Sequence, residues 1–247
     1  MKWLSGFLSL IWRFWFLLSY IVPFILVMPM TIFFTFYDKH YPYLYWFLHR
    51  IAKIMLFVSG ISMRKEYESK IDYNEQFIYC SNHTSTLDVV MMFALSKKPI
   101  AFIGKKSLSK MPFFGYYYKS TNVLVDRSNL RNAYAAYQKA GEKINAGQNM
   151  AIYPEGGIPN ENIRLAKFKN GPFKLAIEQK VKIIPITFGD NKKIFPGSFL
   201  KGRPGIARLT IHKPVETNGM NEEDINKLKT HIFELIDSKL IEYENAS

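Results

Sequence analysis

The sequence predicts a single α/β domain, with a central mixed sheet flanked by helices, preceded by N-terminal membrane-associated helices. Three observations predict it. From Gln76 onward, short runs rich in aromatic and β-branched residues each close in a polar or glycine-bearing loop and lead into a helix-like stretch; repeated strand, loop and helix implies an α/β core with its chemistry at the loops. Near the N-terminus, residues 14–37 carry no charged side chain. The 247 residues contain no internal repeat and no low-complexity linker. Residues 1–60 are therefore expected as membrane-spanning or re-entrant/interfacial helices and residues 61–247 as one α/β domain, within single-domain size.

Taken in order, the chargeless segment between Arg13 and Asp38 comes first. As a helix it would extend about 36 Å, enough to cross a hydrocarbon core of about 30 Å. Pro23 and Pro29 predict kinks, which leaves a span, a re-entrant hairpin and an interfacial pair all open. The apolar run is too long for a cleaved secretory signal and closes on no small-x-small site. Tyr41 to Gly60 carries His49, Arg50 and Lys53 among Trp46, Phe47, Leu48, Ile51, Ile54, Met55 and Leu56, so it reads as amphipathic and interfacial. Basic residues flank the apolar segment on both sides and leave its orientation open.

Gln76 to Cys80 then reads as a buried strand and Val89 to Leu95 as the apolar part of a helix. Between them runs Asn82-His83-Thr84-Ser85-Thr86-Leu87-Asp88. With His83 in the loop and Asp88 in the first helical turn, the chain can fold the imidazole over the carboxylate. Asp88 then accepts the Nδ1 proton and Nε2 is left to take a proton from a substrate hydroxyl. Ser85-x-x-Asp88 is equally a capping-box helix start, with Asp88 favoured at the positive end of the dipole.

The next strand, Asn122 to Val125, runs into Asp126-Arg127-Ser128. Ser128 reads as the N-cap of a helix carrying Tyr134, Tyr137, Ala140 and Ile144 and stopping at Gly147. That puts Arg127 where a phosphate can be bound bidentately, or where it simply pairs with Asp126. Met150 to Tyr153 is a strand opening into Pro154-Glu155-Gly156-Gly157, whose glycines suit either an ordinary turn or a ring of N–H donors for an anion. Pro172 to Glu178 reads as a helix and Val181 to Ile186 as a strand, with Pro185 suggesting a sheet edge. Asn221 to Tyr243 has acids in its first turn and Ile225, Leu228, Ile232, Leu235, Ile236 and Leu240 at helical spacing, a core-packing stripe.

Charge narrows the partners. The net charge of +13, from 33 basic and 20 acidic residues, calls for an anionic partner. Between Ser96 and Ser120 the lysines 97, 98, 105, 106, 110 and 119 alternate with Met111, Phe113, Phe114 and Tyr116-Tyr117-Tyr118, with no acid among them. No nucleic-acid motif is present, and basic plus aromatic residues describe a surface resting on anionic lipid. Cys80 is the only cysteine, so neither an intramolecular disulfide nor a cysteine-based metal site is expected. Both features suit a membrane protein on the cytoplasmic face of the inner or plasma membrane.

In their order, these blocks resemble the motifs of the glycerolipid acyltransferases, and within that family the branch that acts on lysophosphatidic acid. Asn82, His83 and Asp88 match the first motif, Val123 to Arg127 the second, Tyr153-Pro154-Glu155-Gly156 the third and Val181 to Ile186 the fourth. Gly104-Lys105-Lys106-Ser107-Leu108 and Phe168-Lys169-Asn170-Gly171-Pro172-Phe173 are also similar to that family. The third motif departs from the pattern, because Gly157-Ile158-Pro159 stands where Thr-Arg-Ser is usual. Arg164, Lys167 or Lys169 is then expected to supply the missing charge. The resemblance implies transfer of a fatty acyl group from acyl-CoA or acyl carrier protein to the hydroxyl of a lysophospholipid. It implies His83 as base with Asp88 orienting it, Lys105 and Arg127 on the acceptor phosphate, Glu155 and Gly156 shaping the acceptor site, and no cofactor or metal. Acyl transfer to another lyso-lipid such as a lyso-aminolipid, and non-catalytic lipid binding at the membrane, are the alternatives.

Overall fold

A computed structural model describes residues 2–35, 40–111, 114–125 and 130–246. Two helices come first, α1 (Lys2–Thr35) and α2 (Tyr41–Val58), followed by β1 (Ile61–Tyr67), β2 (Phe77–Ser81), α3 (Leu87–Leu95) and β3 (Ile100–Lys105). A 3-10 turn and α4 (Phe114–Thr121) lead to β4 (Val123–Val125), α5 (Leu130–Asn145), β5 (Asn149–Ile152), α6 (Gly171–Glu178) and β6 (Lys182–Phe188). The short α7 (Asn191–Ile194), β7 (Gly205–Ile211) and α8 (Ile225–Asn245) complete the chain.

The seven strands form one mixed sheet in the order β1-β7-β6-β2-β5-β3-β4. Strands β6, β2, β5, β3 and β4 are mutually parallel, and β7 turns antiparallel against β6. Their carboxyl ends therefore share one edge of the sheet, the edge at which open α/β sheets place their ligands. All five residues of the central β2 are buried. Alternation sends Phe77 and Tyr79 into a core built with α2 and α3, and Ile78 and Cys80 into a second core built with α5, α6 and α8. The stripe on α8 behaves as core: Ile225, Leu228, Ile232, Ile236 and Leu240 are buried, and Asn221 and Asp224 close a capping box before them.

Pro185 does not mark an edge. It sits in β6, paired by β2 on one side, while the antiparallel β7 ladder begins only at Ile186 and the His212 N–H is donated to the Pro185 carbonyl. The missing N–H thus falls where no ladder bond requires it.

Residues 14–35 of the chargeless segment lie in one continuous helix running through Pro23 and Pro29. Helix α2 runs back along α1, with Trp12 Nε1 donating to the Ser59 carbonyl at one end and Phe34 stacking on Tyr43 and Phe47 at the other. One face of α2 packs on the domain: Leu44, Tyr45, Met55 and Leu56 are buried, and the Tyr41 hydroxyl donates to the Ile100 carbonyl. On α1, by contrast, Phe7, Leu8, Ile11, Phe14, Ile25, Leu26 and Phe33 are exposed.

Candidate active site

The turn after β2 is fixed from three sides. Asn82 extends the sheet by one step, its amide donating to the Phe188 carbonyl and accepting the Phe188 N–H. The His83 N–H is donated to Glu155 Oε1 at 2.6 Å, and the His83 ring lies on Tyr153, centroids 4.0 Å apart and 15° from parallel. Backbone and ring are thus both held before substrate is considered.

His83 Nδ1 lies 2.9 Å from Asp88 Oδ2. The Asp88 carboxylate is fully buried and also accepts the N–H groups of Thr84 and Ser85 and the side-chain amide of Asn191, at 2.7, 2.9 and 2.7 Å. So many donors keep a buried charge satisfied. They also make Asp88 the acceptor for Nδ1–H, which fixes the neutral imidazole with its lone pair on Nε2. Nε2 has no hydrogen-bond partner among the described residues, and the imidazole is 15% exposed. The capping-box expectation is met only in part: Asp88 accepts the Ser85 N–H and Ser85 Oγ accepts the Leu87 N–H, but the Asp88 N–H goes to the Ser85 carbonyl and the helix starts at Thr86 without a side-chain cap. Asp88 orients the histidine and ties down the turn that enters the helix.

Glu155 faces inward. Its second oxygen accepts the Ala166 N–H at 2.8 Å, so the carboxylate joins the histidine turn to the segment that follows the third motif. Burial pushes this carboxyl above the usual carboxylate range, with the charge of Asp88 adding to the effect, while the two N–H groups and His83 oppose it. Gly156 has φ of +84°, which suits glycine, and its N–H is donated to the Tyr153 carbonyl. The expected ring of N–H donors is therefore reduced: Gly156 spends its N–H inside the turn, leaving only that of Gly157.

Lys105 is exposed at the carboxyl end of β3, level with Val125 of β4 and two strands, about 10 Å, from β2. Gly104 before it lies against Tyr118: a Cβ there would stand 1.7 Å from the Tyr118 hydroxyl, so any side chain would have to displace that ring. Asp126, Arg127 and Ser128, together with Pro112 and Phe113, lie outside the described residues. Among the cations expected to replace the third-motif arginine, Arg164 is committed to Asp237 and Glu244. Lys169 instead lays its chain over the glycine turn, with Nζ 2.8 Å from where a Gly156 Cβ would stand.

Sequence reasoning missed Asn191, more than a hundred residues from Asp88. Its only signal is a polar pair, Asp190-Asn191, one glycine after a largely apolar strand. Tyr153 was read as part of a motif, but its stacking on His83 has no signal in spacing. Cys80 lies beneath this site, and burial, with the Glu155 charge, pushes its thiol up, which makes it a poor nucleophile. No group of histidine, cysteine and acidic residues among the described residues is arranged to hold a metal ion.

Residues 56–189 match a family model described as Acyltransferase. The chain is 29% identical over 171 residues to a 1-acyl-sn-glycerol-3-phosphate acyltransferase of Haemophilus influenzae, covering 68% of this chain and 69% of that protein. It is 31% identical over 183 residues to the chloroplastic 1-acyl-sn-glycerol-3-phosphate acyltransferase LPAT1 of Arabidopsis thaliana, covering 70% of this chain but only 50% of that longer protein. The fold matches the crystal structure of the 1-acyl-sn-glycerophosphate (LPA) acyltransferase PlsC from Thermotoga maritima with a TM-score of 0.78, at 23% identity, over 99% of this chain and 98% of that one.

Proposed function

Because the chain belongs to the acyltransferase family, whose model matches more than half of its length, we propose that it is a 1-acylglycerol-3-phosphate O-acyltransferase. In this reading it moves a fatty acyl group from an acyl thioester, on coenzyme A or acyl carrier protein, to the free hydroxyl of lysophosphatidic acid, giving phosphatidic acid. The observation that carries the reading is a histidine held by Asp88 through Nδ1, with Nε2 unpartnered at the carboxyl edge of the sheet.

The acceptor hydroxyl gives its proton to His83 Nε2 as its oxygen attacks the thioester carbonyl. Asp88 stabilises the imidazolium that forms. When the tetrahedral intermediate collapses, the C–S bond breaks and the imidazolium proton passes to the departing thiolate, leaving ester, thiol and neutral His83. No acyl-enzyme is required, and the buried Cys80 thiol is unsuited to forming one. A positioned base of this kind contributes about 10²–10⁴-fold, so substrate placement and oxyanion stabilisation supply the remainder. Lys105 and Arg127 hold the acceptor phosphate, and Lys169, lying on the Gly156 turn, stands in for the arginine absent from the third motif. Glu155 acts through His83 by fixing its backbone. The exposed apolar face of α1 holds the enzyme on the cytoplasmic side of the membrane, where both lipid substrate and product reside.

The test is a mass-spectrometric acyl-transfer assay on a panel of lyso-acceptors, each offered with acyl-CoA and with acyl carrier protein. Wild type is expected to form phosphatidic acid from lysophosphatidic acid, and His83→Ala to lose about 10²–10⁴-fold in turnover without losing membrane association. Turnover by His83→Ala within a few-fold of wild type would remove the mechanism. A wild-type preference for an acceptor without phosphate would reassign the acceptor and leave the acyl-transfer chemistry standing.

A further inference from the structure

The segment between α7 and β7 is a closed loop that the proposed chemistry does not use. Its base is shut by the Arg203 N–H on the Ile194 carbonyl. Its interior is filled from α1 by the buried Arg13, whose guanidinium donates to the carbonyls of Pro196 and Lys201 and lies over the Phe195 ring, 4.4 Å from its centroid. Gly202, at φ of +133°, leaves no slack: a Cβ there would come within 3.3 Å of Trp12 and Arg13. This support holds Phe199 and Leu200 at the apex, 70% and 62% exposed.

An apex of two large apolar residues is costly in water. Arg13 ties it to the helix with the most exposed apolar surface: on either side of Arg13, Ile11, Phe14 and Trp15 are each half exposed or more. Beside the loop opens a cavity of about 300 Å³ lined by Arg64, Lys193, Arg203, Arg208 and Asp190. Asp190 is paired bidentately with Arg208, while Arg64, Lys193 and Arg203 form no ion pair among the described residues. Arg64, Lys193 and Arg203 face one carboxylate, Asp190, which is already paired with Arg208 and also feels the charge of Lys193, so the cavity at the base of this loop carries an excess of positive charge. That is the pattern of an anionic lipid interface, where apolar side chains enter the acyl region and cations meet headgroup phosphates.

We propose that this loop is a second membrane contact, with Phe199 and Leu200 inserted in the leaflet and the cavity of Arg64, Lys193 and Arg203 holding the phosphate of an anionic phospholipid. The proposal rests on the membrane reading given above but not on the acyl-transfer reaction. Its consequence is geometric: two contacts joined by a buried arginine fix how the domain faces the bilayer.

Because Cys80 is buried, Leu200→Cys in the full chain can be labelled selectively with an environment-sensitive fluorophore. The labelled protein is mixed with vesicles of phosphatidylcholine alone or with phosphatidylglycerol, and retention on the vesicles is measured in parallel. The expected result is a blue-shifted emission quenched by acyl-chain nitroxide lipids. Quenching should be stronger with phosphatidylglycerol, and Arg64→Gln/Lys193→Gln/Arg203→Gln should abolish that difference. A retained protein whose label is quenched only by aqueous iodide overturns the proposal while leaving the α1 anchor intact. So does a phosphatidylglycerol effect that survives the triple substitution, or one that soluble coenzyme A removes, which would assign the cavity to the acyl donor. Failure of the protein to bind vesicles at all removes both this proposal and the membrane reading.

Discussion

At the scale of single residues, Asp88 matters most, because one carboxylate answers four donors from two places in the chain, the 83–85 turn and Asn191. An amide cannot do this. In Asp88→Asn one of the two side-chain atoms becomes a donor facing other donors, and the ring of His83 loses the partner that fixes its tautomer and balances its charge. The expected loss is on the order of 10⁴ in kcat, with destabilisation of about 1–3 kcal/mol from unsatisfied buried groups, measured by acyl-transfer kinetics beside thermal melting. An active and stable Asp88→Asn protein would leave Asp88 only a helix cap. The phosphate assignment has its own test. Lys169→Ala should raise the apparent KM for lysophosphatidic acid about ten- to hundredfold, the equivalent of about 1.5–3 kcal/mol, and leave the donor KM unchanged. Arg127→Ala should do the same, with Arg127→Lys restoring only part, since an ammonium lacks the bidentate fork. A selective rise in donor KM would move either cation to the thioester carrier. The pairing of His83 with Asp88 was legible because both lie on one strand-to-helix turn, where local geometry fixes their distance. Asn191 was not, because only the parallel pairing of β6 with β2 brings it there.

Secondary-structure elements were legible in proportion to their burial. Strands β2, β5 and β6 are almost entirely buried and read as apolar runs, and the helical stripe of α8 is likewise a direct image of the core it faces. Strand β1 escaped notice because it is the sheet's edge: after Ile61 its residues are largely exposed, and Arg64, Lys65 and Glu66 carry the polarity of a solvent-facing surface. Strand β7 was missed although it supplies Ala207, Leu209 and Ile211 to the core. Its alternation of Ala207, Leu209 and Ile211 with Arg208 and Thr210 is the pattern of a half-buried strand, and that arginine clamps the segment holding Asn191. Burial opposes ionisation of Asp190, but the hydrogen bonds and charge of Arg208 outweigh it and hold the carboxyl below its usual value of 3.8. A depressed carboxyl pKa means the unfolded chain takes up the proton first as pH falls. The stabilisation is therefore complete above about pH 3.8 and lost as pH falls through the folded-state value. Asp190→Asn should lower the melting temperature at neutral pH and flatten its decline in acid. An acid limb as steep as wild type's would place the proton uptake elsewhere.

For the molecule as a whole, the question is whether the N-terminal helices are an appendage or part of the domain, and packing treats the two differently. Helix α2 places Leu44, Tyr45 and Met55, all at 2% exposure or less, in the same core as β2 and α3. Removing large core side chains costs roughly 2–5 kcal/mol each, against a total stability of about 5–15 kcal/mol for a domain. Deleting residues 1–60 should therefore yield an insoluble, unfolded protein rather than a soluble enzyme released from its anchor. Deletion of residues 1–36 removes α1 alone. It takes Phe16 from the edge of that core and uncovers Phe195 and Phe114, but leaves Leu44, Tyr45 and Met55 in place, so the product should be less stable yet keep a cooperative melting transition while losing most of its retention on vesicles. What retention remains should come from the basic surface, with its net +13 in the full chain, and should fall as salt rises from 0.05 to 0.5 M, roughly the range over which screening shortens to a few ångströms. The measurement is paired: circular dichroism melting and vesicle sedimentation of both truncations over that salt series. If the 1–60 deletion is soluble, monodisperse and folded, α2 is no part of the core. If the 1–36 deletion binds vesicles as tightly as the full chain and is indifferent to salt, the membrane is held by something other than α1 and the lysines.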